Sequence, residues 1–361
     1  MQADVQALMA GELGSWLAEQ TDMRQQAKEK AYWRWTLGAC ALLPALALMW
    51  FGPGWLGDFK IYLSAGGVMG VSWWGYLPIN AAKKTIKIGI NSAIARSLGI
   101  HYQHDVTPEA EYEACKTYGL VPSCDRSEFE DKWSGALEGH DFVLYEAHLE
   151  ERRGSGKNRR WVTVFRGAII SIEFGRRFHS TTLLQRAGKH KKWFGFGGRK
   201  DSVKFDGHQL DFVDQVHPAF EDVFDTYSDD QVEARVIVHP SFVEHLLEIE
   251  RAFHGDAVRA LFSDASVTVA VESGNLFESG SMNPQSDRAR VEEAAAQFAS
   301  LAKLALAINQ TERGRPLKPD DASPAPAGTP NGKVDNDTRT ITPHDRLVAH
   351  RAFSGFGRKG L

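Results

Sequence analysis

The sequence predicts an α+β protein: an N-terminal two-helix transmembrane hairpin, then a cytoplasmic domain with an antiparallel sheet and flanking helices. Three observations carry this. Two uncharged runs of spanning length, residues 35–57 and 61–82, are separated only by Asp58, Phe59 and Lys60. From Asp141 onward the pattern changes to short apolar runs divided by turn residues, as strands require. Helical patterns then interrupt and close this set instead of alternating with every strand, which is an α+β order.

The elements follow in chain order. In residues 1–34, Val5, Leu8, Met9, Leu13, Trp16 and Leu17 recur at helical spacing, so an amphipathic helix is expected, weakened by Gly11 and Gly14. The runs 35–57 and 61–82 hold 23 and 22 residues without a charge. At ~1.5 Å per residue each is long enough for a hydrocarbon core. Trp35, Trp50, Trp55, Tyr62, Trp73, Trp74 and Tyr76 gather toward their ends, where amphipathic rings sit at headgroup level. Ala45-Leu46-Ala47 resembles a signal cleavage site. The 34-residue polar segment before it holds five acids, however, and a second run follows at once, so a membrane hairpin is the better reading. Arg24, Lys28, Lys30 and Arg34 precede the hairpin and Lys83, Lys84, Lys87 and Arg96 follow it, with Lys60 alone in the turn. The positive-inside rule places both termini in the cytoplasm. Ala41-x-x-x-Ala45 and Gly66-x-x-x-Gly70 allow close helix packing, first within the hairpin and second between copies of the chain.

In the cytoplasmic domain, 83–310, the second span runs on as a helix to about residue 98, and 108–118 suggests a Glu-rich helix. Strands are expected at 142–150 and 160–174, joined by the turn signal Gly154-Ser155-Gly156-Lys157-Asn158. Further strands are expected at 178–184, 202–205, 220–227, 232–238, 258–262 and 266–272. Pro240 suits a first helical turn, with Phe242, Leu246, Leu247 and Phe253 on one face and Gly255 as the stop. Ser286 is placed to cap a longer helix with the face Val291, Ala295, Phe298, Leu301, Ala305 and Ile308. Residues 311–361 read as a disordered Pro-rich linker ending in a basic segment.

The run Tyr227-Ser228-Asp229-Asp230-Gln231-Val232-Glu233-Ala234-Arg235, with Phe220 to Thr226 before it and His239-Pro240-Ser241-Phe242 after it, resembles the bacterial membrane protein family catalogued as domain of unknown function 3137. Val164-Phe165-Arg166-Gly167 and the pair of N-terminal spans are similar to that family too. The resemblance covers roughly residues 30 to 310. It implies a bacterial inner-membrane location and lends no activity.

Composition bounds the function. A near-neutral chain of 361 residues, net charge −4, with slightly negative mean hydropathy is no polytopic transporter, and three cysteines make no disulfide scaffold. The charge is segregated: −9 over 100–152, +12 over 153–204 and −14 over 205–312. Such blocks either meet an electrostatic partner or neutralise one another within the fold. In the basic block, Arg186, Lys189, Lys191, Lys192, Arg199 and Lys200 surround Trp193, Phe194 and Phe196, a pattern suited to anionic headgroups or an acidic protein partner. No nucleic-acid-binding module accompanies the charge. Asp229, Asp230, Glu233 and Arg235, with His239 after them, form the densest polar cluster of the stretch that resembles the family, either a carboxylate site for acid–base chemistry or a turn whose side chains bond local backbone amides.

Other motifs fail on their own chemistry. Gly154-Ser155-Gly156-Lys157 lacks the leading glycine and the Ser or Thr of a phosphate loop, and Gly355-x-Gly357-x-x-Gly360 has no following helix. His101, His104, Cys115 and Cys124 lack zinc-ligand spacing, and no nucleophile elbow occurs. No metal or cofactor is implied. The expected role is a membrane-anchored, non-catalytic binding or scaffolding module. A membrane-associated enzyme using Asp229, Asp230, Glu233 and His239 is the alternative.

Overall fold

The computed structural model describes residues 5–52, 57, 59–108, 110–175, 177–189, 200–205, 207–214 and 222–308. The Pro-rich linker and basic C-terminal segment expected at 311–361 lie outside these residues, as do residues 190–199 of the basic block.

Two helices of 40 residues each, α2 (Glu12–Phe51) and α3 (Phe59–Leu98), lie antiparallel after a short α1 (Val5–Ala10). Trp35 Nε1 donates to Ser72 O, Arg34 to Trp74 O and Trp50 Nε1 to Ser64 Oγ, each at 3.2 Å. The glycines that allow this contact are Gly38, Gly67 and Gly75, where a Cβ would collide with Val71, Leu42 and Trp35. Gly66 and Gly70, expected to serve that purpose, have nothing within 4 Å of an added Cβ. Among the described residues one helix, Leu13–Phe51, is long and apolar enough to cross a membrane. The second predicted span, on α3, does not reach that measure.

The two ends of α3 live in different surroundings. Phe59, Ile61, Tyr62, Leu63, Val68, Met69 and Trp73 are exposed. Ile86, Ile90, Ile94 and Leu98, one helical stripe, are buried in the core of the sheet domain. A single continuous helix therefore enters the domain core from an exposed apolar region.

Among the described residues the sheet has ten antiparallel strands in the order β1-β2-β3-β4-β10-β9-β5-β8-β7-β6. These are β1 His101–Asp105, β2 Arg126–Leu137, β3 His140–Arg153, β4 Arg160–Glu173, β5 Thr182–Arg186, β6 Ser202–Phe205, β7 His208–Phe212, β8 Phe224–Ser228, β9 Ala257–Ser263 and β10 Ser266–Glu272. The Gly154–Asn158 turn does join β3 to β4, with a single 3₁₀ turn inside it. Both faces are covered, so residues 167–170 of β4 and 267–271 of β10 are buried without alternation. On one face Leu144, Ile170, Val269 and Phe262 meet α3, α6 (Pro240–Ala252) and α7 (Asp287–Ile308). On the other, Tyr145, Ile169, Ala270 and Leu261 meet the short α4 (Ala110–Thr117). Gly167 sits in β4 at φ 154°, where a Cβ would strike Val271 O, so the glycine in Val-Phe-Arg-Gly is a steric requirement.

Several expectations need correction. Residues 232–238, expected as a strand, form most of helix α5 (Gln231–Ile237). The alternation of Val232, Ala234 and Val236 fits a strand, but Asp230 accepts from the amides of Val232 and Glu233 and nucleates a helix. Its buried side chains are then Ala234 and Ile237, while Val232 and Val236 face outward. Strands β1, β2 and β7 went unrecognised; β2 is rich in charge and a bulge between Glu130 and Trp133 breaks its alternation. The strand expected at 178–184 is displaced to Thr182–Arg186, and Ser286 ends a 3₁₀ turn, so that α7 begins at Asp287.

Candidate functional site

The expected basic surface is partly used inside the fold. The Arg186 guanidinium bonds both carboxylate oxygens of Glu250 and lies 5.0 Å from the Phe224 ring centroid. Lys189 donates to Gly119 O at 3.0 Å; desolvation of the amine, with Arg259 nearby, lowers its pKa to about 8. Lys200 is exposed. Lys191, Lys192, Trp193, Phe194, Phe196 and Arg199 lie outside the described residues.

The second expected cluster bonds to the chain around it. Asp229 Oδ1 accepts from Thr181 N at 2.8 Å, and Glu233 Oε2 accepts from His179 N and Ser180 N at 2.9 and 2.7 Å. Together they clamp the chain entering β5. Asp230 caps α5, Arg235 donates to Asp214 O at 3.0 Å, and the His239 ring caps α6 by accepting from Phe242 N. These side chains satisfy backbone groups at element ends.

Among the described residues, a buried polar assembly lies where α3 meets β1 and β2. The β2 bulge holds Asp131 at φ 57°, a conformation an aspartate tolerates, and turns its carboxylate inward with no solvent exposure. Tyr102 OH donates to Oδ1 at 2.6 Å and His104 Nδ1 lies 3.0 Å from the same atom. Lys87 Nζ is 2.8 Å from Oδ2, 2.7 Å from Glu278 Oε1 and 3.5 Å from Glu130 Oε2. One turn further along α3, Asn91 accepts from Ser279 Oγ at 2.8 Å and donates to Phe277 O at 3.4 Å. Trp133 packs beneath, against Tyr102, Phe277 and Phe298.

The electrostatics follow from this arrangement. Burial pulls the Lys87 pKa down, but Asp131 and then Glu278 outweigh it and hold the amine above its ordinary value. Burial, reinforced by Asp131, pushes the Tyr102 phenol well up, so it remains a donor. His104, Glu130 and Asp131 bring their ligand atoms within 4.8 Å of one another, the one such group among the described residues. The Lys87 ammonium already rests on both carboxylates and fills the cation's role. Cys115 belongs to the core on the other sheet face, so the zinc reading fails on geometry. The junction binds α3 to the sheet edge and to the coil after β10. It sets Lys87, which precedes the charged blocks, against carboxylates from both acidic ones, Glu130 and Asp131 of 100–152 and Glu278 of 205–312.

Beside it, Glu146 is 3% exposed, accepting from Leu276 N at 3.1 Å and Arg166 Nε at 3.2 Å. Burial raises its pKa to about 7, against the opposing pull of these two partners and Lys87. From its ordinary 4.5 up to about 7, the native state holds a proton that the unfolded chain has released. This carboxyl therefore lowers stability as pH rises through that window, by up to about 3 kcal/mol. Glu146→Gln is expected to remove the decline. Urea unfolding of both proteins at pH 5 and pH 8 checks it: the stability gap between them should shift toward the variant at pH 8, and a constant gap refutes the assignment.

The signal for this junction in the sequence is faint but real. Lys87 and Asn91, spaced i, i+4, stand beside the Ile86, Ile90, Ile94 stripe, so polar groups border a buried face. Nothing local identifies Asp131 as their counterpart.

Comparison with known proteins bears on the region after β3. Residues 163–310 match the family described as Protein of unknown function (DUF3137). This segment belongs to the domain of unknown function 3137 family. The DUF3137 segment holds nearly all of β4 and every later strand, the Asp229–Glu233 clamp and Glu278, whereas Lys87 and Asp131 precede it. The junction thus ties the family segment to the helices before it. No curated protein matches the chain. Among solved structures the chain is similar to the crystal structure of the mycobacterial trehalose monomycolate transport factor A, TtfA, at 12% identity and a TM-score of 0.31, over 59% of this chain and 91% of that one.

Proposed function

We propose that the chain is a membrane-anchored, non-catalytic binding or scaffolding module of a bacterial inner membrane. In this reading α2 and α3 cross the bilayer as a hairpin and the sheet domain faces the cytoplasm. The observation that carries it is the distribution of exposed apolar surface. Large exposed apolar side chains run from Tyr32 to Leu77 on both helices, with only Trp161, Val232, Val236 and Leu306 elsewhere among the described residues. Phe51 is 93% and Leu48 77% exposed, a cost that water would not relieve and lipid would. Cations border the stretch: Arg34 stands 5.5 Å from the Trp74 ring centroid and Lys83 5.5 Å from that of Tyr76. The concentration of Lys and Arg at this end supports cytoplasmic termini.

A binding role is favoured because the carboxylates of the family segment's polar run satisfy backbone amides, and the buried cluster already holds its own cation. Lys191, Lys192, Arg199 and Lys200, with Trp193, Phe194 and Phe196, remain the proposed surface for anionic lipid or an acidic partner. A reporter active only outside the cytoplasm tests the anchoring. Fused after Leu361 it is expected to be silent, and inserted between Phe51 and Phe59 it is expected to be active. The reverse pattern, or release of the full chain from membranes by alkaline carbonate, refutes the reading.

A further inference from the structure

We propose that the cavity between α2 and α3 at the domain end of the apolar stretch binds the phosphate of an anionic lipid headgroup. This rests on the membrane reading above. The cavity encloses about 300 Å³ and opens between Lys28, Tyr32 and Trp35 of α2 and Tyr76 and Lys83 of α3, with Met282 closing its third side. It sits where exposed apolar surface gives way to the charged domain, so in a bilayer its mouth lies at headgroup depth.

The charge state of the lining separates it from an ordinary surface groove. Three neighbouring cations have carboxylate partners: Arg24 holds Asp287, Lys84 lies 3.9 Å from Asp105, and Lys87 is enclosed by Asp131 and Glu278. Neither Lys28 nor Lys83 meets a carboxylate among the described residues. Lys83 Nζ instead lies 3.1 Å from the Tyr76 hydroxyl, so an ammonium and a phenol present donors at one point. Lys28 stands across the cavity on the other helix. Two ammonium groups and a hydroxyl around a pocket walled by Tyr32, Trp35 and Met282 match a phosphate monoanion joined to an apolar glycerol–acyl stem. A free phosphate shares the head chemistry but has nothing to place on the apolar walls.

The test uses the full chain reconstituted in phosphatidylcholine vesicles carrying a trace of spin-labelled phosphatidylglycerol or spin-labelled phosphatidylcholine. Electron paramagnetic resonance then reads the immobilised fraction of each label. Wild type is expected to prefer the anionic label, and Lys28→Gln/Lys83→Gln to lose that preference by about tenfold. Lys30→Gln/Lys84→Gln, which removes two charges outside the cavity, is expected to keep it. Equal loss in both double variants, or none in the first, overturns the proposal, as does displacement of the label by millimolar inorganic phosphate. Release of the wild-type chain by carbonate overturns the anchoring reading with it. Retention with unchanged selectivity overturns the headgroup site alone.

Discussion

Asp131→Ala is expected to lower the unfolding free energy by about 3–5 kcal/mol. The substitution leaves Lys87 in its 5%-exposed position with Glu278 and Glu130 as partners, both much more solvated than Asp131. It also strands the Tyr102 hydroxyl, which donates to Asp131 at 2.6 Å. The left-handed backbone at φ 57° adds about 1 kcal/mol, because alanine lacks the local hydrogen bonding that lets aspartate adopt it. Lys87→Met/Asp131→Asn should recover more than half of the loss, since it removes both buried charges and keeps a side chain that tolerates the bulge. Denaturant unfolding of the detergent-solubilised full chain, followed by tryptophan fluorescence, checks both. Trp133 lies in the same core, 4.8 Å from the Tyr102 ring, and reports locally. An alanine variant within about 1 kcal/mol of wild type would show that the junction carries little of the attachment of α3.

The second large effect concerns α2. Arg24 Nη2 donates to both oxygens of Asp287, at 2.9 and 2.8 Å, and the two side chains are 2% and 3% exposed. Asp287→Ala leaves a guanidinium buried without a counter-charge and is expected to cost about 3–5 kcal/mol. Removing both members, as in Arg24→Met/Asp287→Leu, is expected to be nearly neutral, because a buried pair's attraction is largely offset by its desolvation. The same unfolding measurement separates the two results. If the single and double variants lose the same stability, the loss comes from packing and not from the stranded charge.

Both predictions describe one mechanical arrangement. The two long helices are pinned to the sheet domain by buried ionic contacts at their domain ends, Arg24 to α7 and Lys87 to β2. With α3 continuous from its exposed apolar part into the core, the domain's orientation is set by rigid helix, without a flexible linker. In the reading proposed above, such a mounting presents the same face of the domain outward.

Much of this was legible from local pattern. The apolar stripes of α6 and α7 follow from period, and the β3–β4 hairpin follows from its glycines. Helix α5 carries the pattern of a strand, because Val232, Ala234 and Val236 alternate, and the side-chain cap at Asp230 overrides it. Strand β2 was missed because its bulge interrupts the alternation by which a strand is recognised. Arg186 looked like part of an exposed basic surface, but its partner Glu250 is 64 residues away, beyond the reach of any spacing rule.

The sequence by itself determined the element types of the longer segments, the uncharged runs and the segregation of charge. Each depends on neighbours within a few turns of helix or a few residues of strand. Only the tertiary structure decided which charges meet. Arg24 and Asp287 are 263 residues apart, and Lys87 finds Asp131 through a crossing of α3 over a bulged strand. Burial of those pairs makes their electrostatics strong, and burial is a property of the packed chain. Cations of the two long helices, Arg24 and Lys87, find their counterparts in the acidic blocks and become the fastening between the helices and the rest of the domain.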